Sequence, residues 1–440
     1  MDSSTVVEEA APRSAKPTTP SDAGDVDLIS GLNDDVLLRV LSLLPDASDA
    51  VRTGALSRRW RGLWSRVPAL RFASRPGAGA TTGGEQRAAL ERYAAFVDGF
   101  VSRRAQPGCA AIESLSIVYA TGSSDVLEKP PPPPVFVARV IFAIGRPHET
   151  NDRDTQRRQL MPTYVHAVQG WIQNAFLHGV KSFSVDLRLP PNSWRQHGGD
   201  HDDDENVVLL EGLHSPARLE TLRLALGGAI RLRLPSTVKF ASLAHLSLER
   251  ITIAADRGDG ARLLGHLVSS ATCLHLQKLC MRNINLHAFS EEMRLEAAML
   301  SELCMEGVKT VMSLKLWTPK LRVLHMYTCS HMMLMISAPK LEELVISFQQ
   351  GYPPRCLEIQ GGLLCVRSLK ICPWSHRPCA INLYEDENDT NISVLKHCGL
   401  LTCLDVTLLR GQNVSFAASY LGTCQIKYPM MTSFKEYLLS

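Results

Sequence analysis

Cys372, His376 and Cys379 fall within CPWSHRPC, with Cys365 a short way upstream, and thiolates beside an imidazole are the ligand types of a tetrahedral zinc site. The spacing matches no standard zinc knuckle, so these residues read as chance neighbours on a connecting loop and no metal site is expected. His197 and His201 stand in the acidic run WRQHGGDHDDDEN (Trp194 to Asn206), which offers oxygen and nitrogen donors but reads as a solvated loop. The 12 cysteines contain no CxxC pair, and without a secretion signal they are expected as reduced thiols. Neither GxGxxG, GxxxxGK[ST], GxSxG nor HExxH occurs. The chain is therefore expected to be non-catalytic and to need no cofactor.

A second constellation is VRTGALSRRWRGLW, from Val51 to Trp64, which places Arg52, Arg58, Arg59 and Arg61 around Trp60 and Trp64. Basic and aromatic residues interleaved like this could hold phosphates, lie on a membrane surface or dock a protein. Between Asp27 and Val67 there are six arginines (39, 52, 58, 59, 61, 66) against five aspartates (27, 34, 35, 46, 49), a surplus of one. The whole chain, with 47 basic and 44 acidic residues in 440, carries only +3. Nucleic-acid binders show a clearer basic footprint, and both tryptophans fall in a stripe expected to be packed rather than in contact with lipid. No nucleic acid and no membrane are expected as partners, and protein docking is the remaining reading.

The elements that would position this surface can be read from periodicity. In DLISGLNDDVLLRVLSLLP, the residues Leu37, Val40, Leu41 and Leu44 repeat as one helical face. Asn33 is the N-cap, Asp34 and Asp35 suit the positive helix start, and Pro45 stops the run. A second helix is expected to begin after Ser48, with Leu56, Trp60, Leu63, Trp64 and Val67 on one stripe. Residues 1–26 read as a disordered tail, 27–72 as a small all-helical module and 73–86, rich in Gly and Ala, as a flexible linker. ALERYAAFVDGFVSRR then reads as a helix and IESLSIVY as a strand. Insertions are expected near 128–160, which holds the polyproline run EKPPPPPVF, and near 194–206. No apolar run reaches the length of a membrane span; with no signal peptide at the start, the expected location is the nucleus, the cytoplasm or both.

Over 87–425 a repeat dominates. L-x-x-L-x-L, with other aliphatic residues allowed, begins at Val180, Leu219, Leu243, Leu276, Leu300, Leu321, Leu341, Val366 and Leu401, and IESLSI at Ile112 is a candidate earlier copy. From Leu219 the steps are 24, 33, 24, 21, 20, 25 and 35 residues, mostly near the period of about 20–29 of leucine-rich repeats, the longer ones leaving room for insertions. A short strand turns alternate residues inward, so stacked copies share one core that no single copy could bury. The ninth, Asn-or-Cys slot of the general repeat holds Cys329 but otherwise Gly227, Ile251, Ile284, Val308, Gln349, Trp374 and Leu409. The expected fold is thus α/β, a helical module followed by an irregular solenoid, with 426–440 as a C-terminal tail or cap.

DLISGLNDDVLLRVLSLLP followed by DAVRTGALSRRWRGLW resembles the plant-type F-box proteins with leucine-rich repeats, densely over roughly residues 27–67 and more loosely downstream, as in WIQNAFLHGVKSFSV. Asn33 departs from the usual Pro of that pattern, and Gly54 from the usual Thr or Ser. The resemblance implies that the F-box module binds an SKP-type adaptor, which brings a cullin and a RING subunit, while the repeats hold an unknown protein substrate for ubiquitination. Matched onto this sequence, it implies adaptor contacts at Leu32, Leu37, Val40, Leu41, Leu44, Pro45, Val51, Leu56, Ser57, Trp60, Leu63 and Trp64. An interaction scaffold with leucine-rich repeats but no ligase assembly is the alternative, and no substrate-binding residue can be named.

Overall fold

The structure is a computed structural model that describes residues 29, 31–74, 83–106, 108–120, 150–189, 206–210, 216–235, 237–255, 259–329, 333–348, 356–360, 365–372, 381–382 and 403–406. The expected tail over 1–26, the polyproline run, the acidic run up to Glu205 and the chain end over 426–440 lie outside these residues. Of the expected linker, only Ala73, Ser74 and the Gly83–Gln86 stretch are described.

The first helix, α1 (Asp34–Ser42), starts where its residues dictate: the Asn33 side chain accepts a hydrogen bond from the Val36 amide at 2.9 Å, and Asp34 and Asp35 fill the first turn. A second helix, α2 (Ala47–Arg52), is capped by Asp46, which accepts from the Ser48 amide at 2.7 Å. The expected continuous second helix does not form. It breaks into α2, a 3-10 turn (Thr53–Ala55), the short α3 (Trp60–Leu63) and another 3-10 turn (Trp64–Arg66). Gly54 sits at the break, where the backbone gains least from remaining helical.

Immediately after the helices the chain enters a parallel sheet. The strands are β1 (Ala69–Ala73), β2 (Ser114–Ala120), β3 (Ser182–Arg188), β4 (Val207–Leu209), β5 (Thr221–Ala225), β6 (Arg231–Arg233), β7 (His245–Ala254), β8 (Lys278–Glu296) and β9 (Glu302–Glu306). They continue through β10 (Lys309–Trp317), β11 (Val323–Cys329), β12 (Met333–Ser337), β13 (Glu343–Phe348), β14 (Cys356–Gln360), β15 (Ser368–Cys372), β16 (Ile381–Asn382) and β17 (Cys403–Val406). Among the described residues every strand pairing is parallel, and two ladders run side by side. The first joins β1, β2, β3, β5, β7, β8, β9, β11, β13, β15 and β17 in turn. The second joins β4, β6, the far ends of β7 and β8, and then β10, β12, β14 and β16.

Each L-x-x-L-x-L segment that is described supplies a strand of the first ladder, and VPALRF at Val67 proves to be a further copy. A shared hydrogen-bond fork identifies the copies. The carbonyl of Pro68 accepts from the amides of Glu113 and Ser114 at 2.8 and 3.1 Å, and that of Glu113 from Lys181 and Ser182 at 2.8 and 2.9 Å. The same fork recurs at Lys181, Glu220, Ala244, Gln277, Ser301, Arg322 and Glu342. The inward residues of the copies from Val67 to Leu341, such as Leu246 with Leu248 and Leu303 with Met305, are buried in one continuous core. The long step from Leu243 to Leu276 accommodates α6 (Gly260–Val268), which packs on β8.

Between the two ladders the chain turns a corner through a residue in the left-handed region: Gly227, Arg250, Asn283, Gly307 and Thr328 have φ of 70°, 52°, 51°, 63° and 50°. After Arg250, Asn283, Gly307 and Thr328 the next residue is the ninth slot, and Ile251, Ile284, Val308 and Cys329 there are all buried, whereas in the Leu219 copy Gly227 itself holds that slot. Aliphatic side chains thus fill the inside of the corner. The backbone at the corner bonds from copy to copy instead, as in Gly307 N–H to the Tyr327 carbonyl at 2.9 Å.

Two helices cover the early strands, α4 (Gly83–Arg104) between β1 and β2, and α5 (Thr150–Leu177) between β2 and β3. They pack against each other, and α5 buries Trp171 beside Tyr93 of α4. The helical segment is fastened to this body at several points. Asp46 Oδ2 accepts from the Ala73 amide at 3.2 Å, the buried Arg104 donates to the Val67 carbonyl at 2.7 Å, and Trp64 meets Phe100 edge to face at 5.4 Å.

Candidate docking surface

The helical segment has its own small core, made by Leu37, Leu41, Ala50, Trp60, Leu63 and Val67. Leu37 and Leu41 are one turn apart on α1, and Trp60 and Leu63 of α3 close over them, as i, i+3 and i, i+4 spacing requires. An amphipathic helix would present polar residues on the opposite side. On α1 and its C-cap, however, Val36, Val40 and Leu43 follow one another on the outside and are exposed, Leu43 to 62%. Leu32, Val51 and Leu56 are exposed as well, Leu56 to 69%, and Ile29 stands beside them in sequence. Apolar exposure concentrated in so short a stretch makes this the candidate docking surface.

Of the residues named from the sequence, Leu32, Val40, Pro45, Val51, Leu56 and Ser57 are exposed, Leu44 and Trp64 are half-buried, and Leu37, Leu41, Trp60 and Leu63 are core. Those four can act on a partner only by holding the surface in shape. Ile29, Val36 and Leu43 are exposed residues that the sequence pattern did not single out. Their signal was there: a helix of nine residues with apolar positions on both sides has one more face than its own core can use.

Charge frames the patch. The carboxylate of Asp34 takes Arg59 on one oxygen and Arg66 on the other, both at 2.9 Å, tying the start of α1 to the segments 25 and 32 residues later. Hydrogen bonds from Arg59 and then Arg66 hold the Asp34 carboxyl below the usual carboxylate range. Arg52 pairs with Asp49 at 2.8 Å. Three of the arginines that suggested phosphate binding are therefore engaged by aspartates of the same segment, and a phosphate would have to displace them.

The parallel sheet offers a second surface. Away from the core, the first ladder presents Arg223, Ser247, Cys280, Cys304 and His325 in one lateral row. A groove of about 400 Å³ opens there, bordered by His245, Lys278 and Glu302. Lys278 and Glu302 pair at its border at 2.8 Å, and further along the same two strands Arg282 and Glu306 pair at 3.4 Å. Among the described residues no group of three His, Cys, Asp or Glu side chains is placed to hold a metal. Cys372 ends β15, while His376 and Cys379 of the candidate zinc stretch lie outside those residues. No described helix is long and apolar enough to cross a membrane.

Fold and surface define an α/β protein that carries a small helical platform with an uncovered apolar face on one end of a long, mostly parallel sheet. Its homologues are F-box proteins of Arabidopsis thaliana. A putative FBD-associated F-box protein is 41% identical over 83 residues, 19% of this chain and 18% of that protein. F-box/LRR-repeat protein 25 is 46% identical over 46 residues, 10% of this chain and 18% of the relative. An F-box/FBD/LRR-repeat protein is 46% identical over 54 residues, 12% of each. The matched stretches span less than a fifth of the length of these relatives. No family model matches the chain.

Proposed function

We propose that this chain is a substrate-recognition subunit of an SCF-type ubiquitin ligase: an F-box module over 27–72 docks an SKP-type adaptor, and a leucine-rich solenoid over 87–425 holds a protein substrate. The observation that carries this reading is the apolar face of Val36, Val40, Leu43, Val51 and Leu56, left uncovered beside a separately filled core. Burying a single such side chain contributes about 1.5–3 kcal/mol, so a few of them suffice for firm docking. The platform would meet the adaptor through Leu32, Val36, Val40, Leu43, Val51 and Leu56, with Leu44, Pro45, Ser57 and Trp64 at the edges and Leu37, Leu41, Trp60 and Leu63 supporting from inside. In this reading the chain supplies no chemistry. It raises the effective concentration of a substrate near a ubiquitin-charged enzyme carried by the cullin and RING subunits, working in the nucleus or cytoplasm.

The test is affinity purification of the full chain with a recombinant SKP-type adaptor, comparing the native chain with Leu43→Asp and Leu56→Asp. Retention of the adaptor by the native chain and its loss in both variants, with circular dichroism unchanged, is the expected result. A native chain that fails to retain the adaptor would leave a repeat scaffold without ligase assembly.

A further inference from the structure

The repeats LQKLCM and LSELCM carry cysteine at the same slot, and the first ladder sets Cys280 of β8 against Cys304 of β9 in register. No other strand pairing among the described residues puts cysteine opposite cysteine. Neighbouring parallel strands lie about 4.8 Å apart, within the Cα separation of about 4.4–6.8 Å that a disulfide spans. Both thiols are partly exposed and line the groove on the outer face of the sheet. Cys273 and Cys329, by contrast, are buried, and burial pushes each thiol up to about 12.

The surroundings of the pair distinguish its members. Cys304 hydrogen-bonds the Cys280 sulfur, the positive charge of Arg282 lies two residues further along β8, and the Ser247 hydroxyl bonds it from β7, so Cys280 is lowered. Cys304 is raised by the same hydrogen bond and by burial. A thiol with a lowered pKa, in reach of a second thiol, beside a cation and partly exposed, has the arrangement of a reactive cysteine with its resolving partner.

We propose that Cys280 and Cys304 form a peroxide-reactive thiol pair in this groove, Cys280 attacking and Cys304 resolving. The Cys280 thiolate attacks one oxygen of a hydroperoxide; the S–O bond forms as the O–O bond breaks, and the other oxygen leaves as alkoxide or hydroxide and takes up a proton. Sulfur is oxidised by two electrons to the sulfenic acid and the peroxide is reduced to an alcohol or water. The Cys304 sulfur then attacks the Cys280 sulfur, the S–S bond forms, the S–O bond breaks, and the departing hydroxide leaves as water with the Cys304 proton. The product is a cross-strand disulfide that a dithiol reductant reverses. It alters the floor of the groove without requiring the strands to separate.

The experiment uses the reduced full-length chain with no adaptor present, so its outcome is independent of docking. Hydrogen peroxide at a few equivalents, an alkylating quench and peptide mass spectrometry should yield a Cys280–Cys304 cross-link that dithiothreitol removes. Cys304→Ser should instead accumulate a sulfenic acid at Cys280 that dimedone traps. Cys280→Ser should slow oxidation of Cys304 roughly tenfold, and Arg282→Gln should slow alkylation of Cys280 roughly threefold at neutral pH. A measurement on the native chain alone guards against misfolded variants: one equivalent of phenylarsine oxide should protect both cysteines from alkylation together. Cys280 surviving peroxide as well as Cys273 does, a cross-link to some other cysteine, or arsenical protection of neither thiol would overturn the proposal.

Discussion

Replacing Gly307 by alanine tests the corner that joins the two ladders. Gly307 has φ +63°, and a Cβ built there lies 2.5 Å from Asn283 Oδ1. The left-handed conformation costs an alanine about 1–2 kcal/mol. Crowding Asn283 adds roughly 1–3 kcal/mol, so the expected loss is about 2–5 kcal/mol. Equilibrium urea unfolding followed by circular dichroism reads this as a lower midpoint at unchanged slope. Two companions separate the contributions. Asn283→Gly in the Gly307→Ala background removes the crowding atom and should restore the steric share, leaving about 1–2 kcal/mol. Gly62→Ala, with no atom within 4 Å of the new Cβ, should be neutral or stabilise by up to about 1 kcal/mol. A Gly307→Ala midpoint equal to that of the native chain would refute the corner argument; an undiminished loss in the double variant would refute its steric half.

Further expectations follow from the helical platform and from α6. Leu41→Ala removes a core side chain and should cost about 2–5 kcal/mol in thermal or urea unfolding, whereas the exposed Leu43→Ala should change stability by less than about 0.5 kcal/mol while weakening adaptor binding about tenfold by calorimetry. Asp34 has a lower carboxyl pKa in the folded chain than in the unfolded one, so its stabilisation is present above the ordinary carboxylate value and is lost as pH falls through the depressed one. Acid titration should therefore loosen the platform below about pH 4, and Asp34→Asn should remove that part of the pH dependence and its sensitivity to salt. Gly265→Ala would set a Cβ 2.3 Å from the Arg294 carbonyl; backbone cannot swing aside, so α6 must lift from β8 at a cost of roughly 1–3 kcal/mol, seen as a lower midpoint.

Local signals were legible where a residue type has one physical use. Asn33 caps α1, Pro45 follows its end, and the L-x-x-L-x-L segments up to the one at Leu341 lie on strands with their apolar residues inward. The second helix differs from expectation because spacings of 4, 7, 8 and 11 from Leu56 to Val67 suit several short turns as well as one helix, and the backbone at Gly54 decides between them. The first repeat copy, VPALRF, was hidden by its position directly behind the tryptophans. The second ladder escaped notice because its strands, such as Met333–Ser337 and Cys356–Gln360, carry no leading leucine at fixed spacing. At the platform, periodicity grouped Val40 with Leu37 and Leu41, although Val40 is turned outward. Burial there depends on where α3 crosses α1, which is a tertiary fact.

The bonds from the Ala73 amide to Asp46 and from Arg104 to the Val67 carbonyl tie the platform to the first strand and to α4. A partner gripping Leu43 and a molecule lying against Cys280 would share one frame of reference, with the bearing from one to the other set by the protein's own geometry. Tuning that bearing would then require changing the number of rungs between them, one repeat at a time.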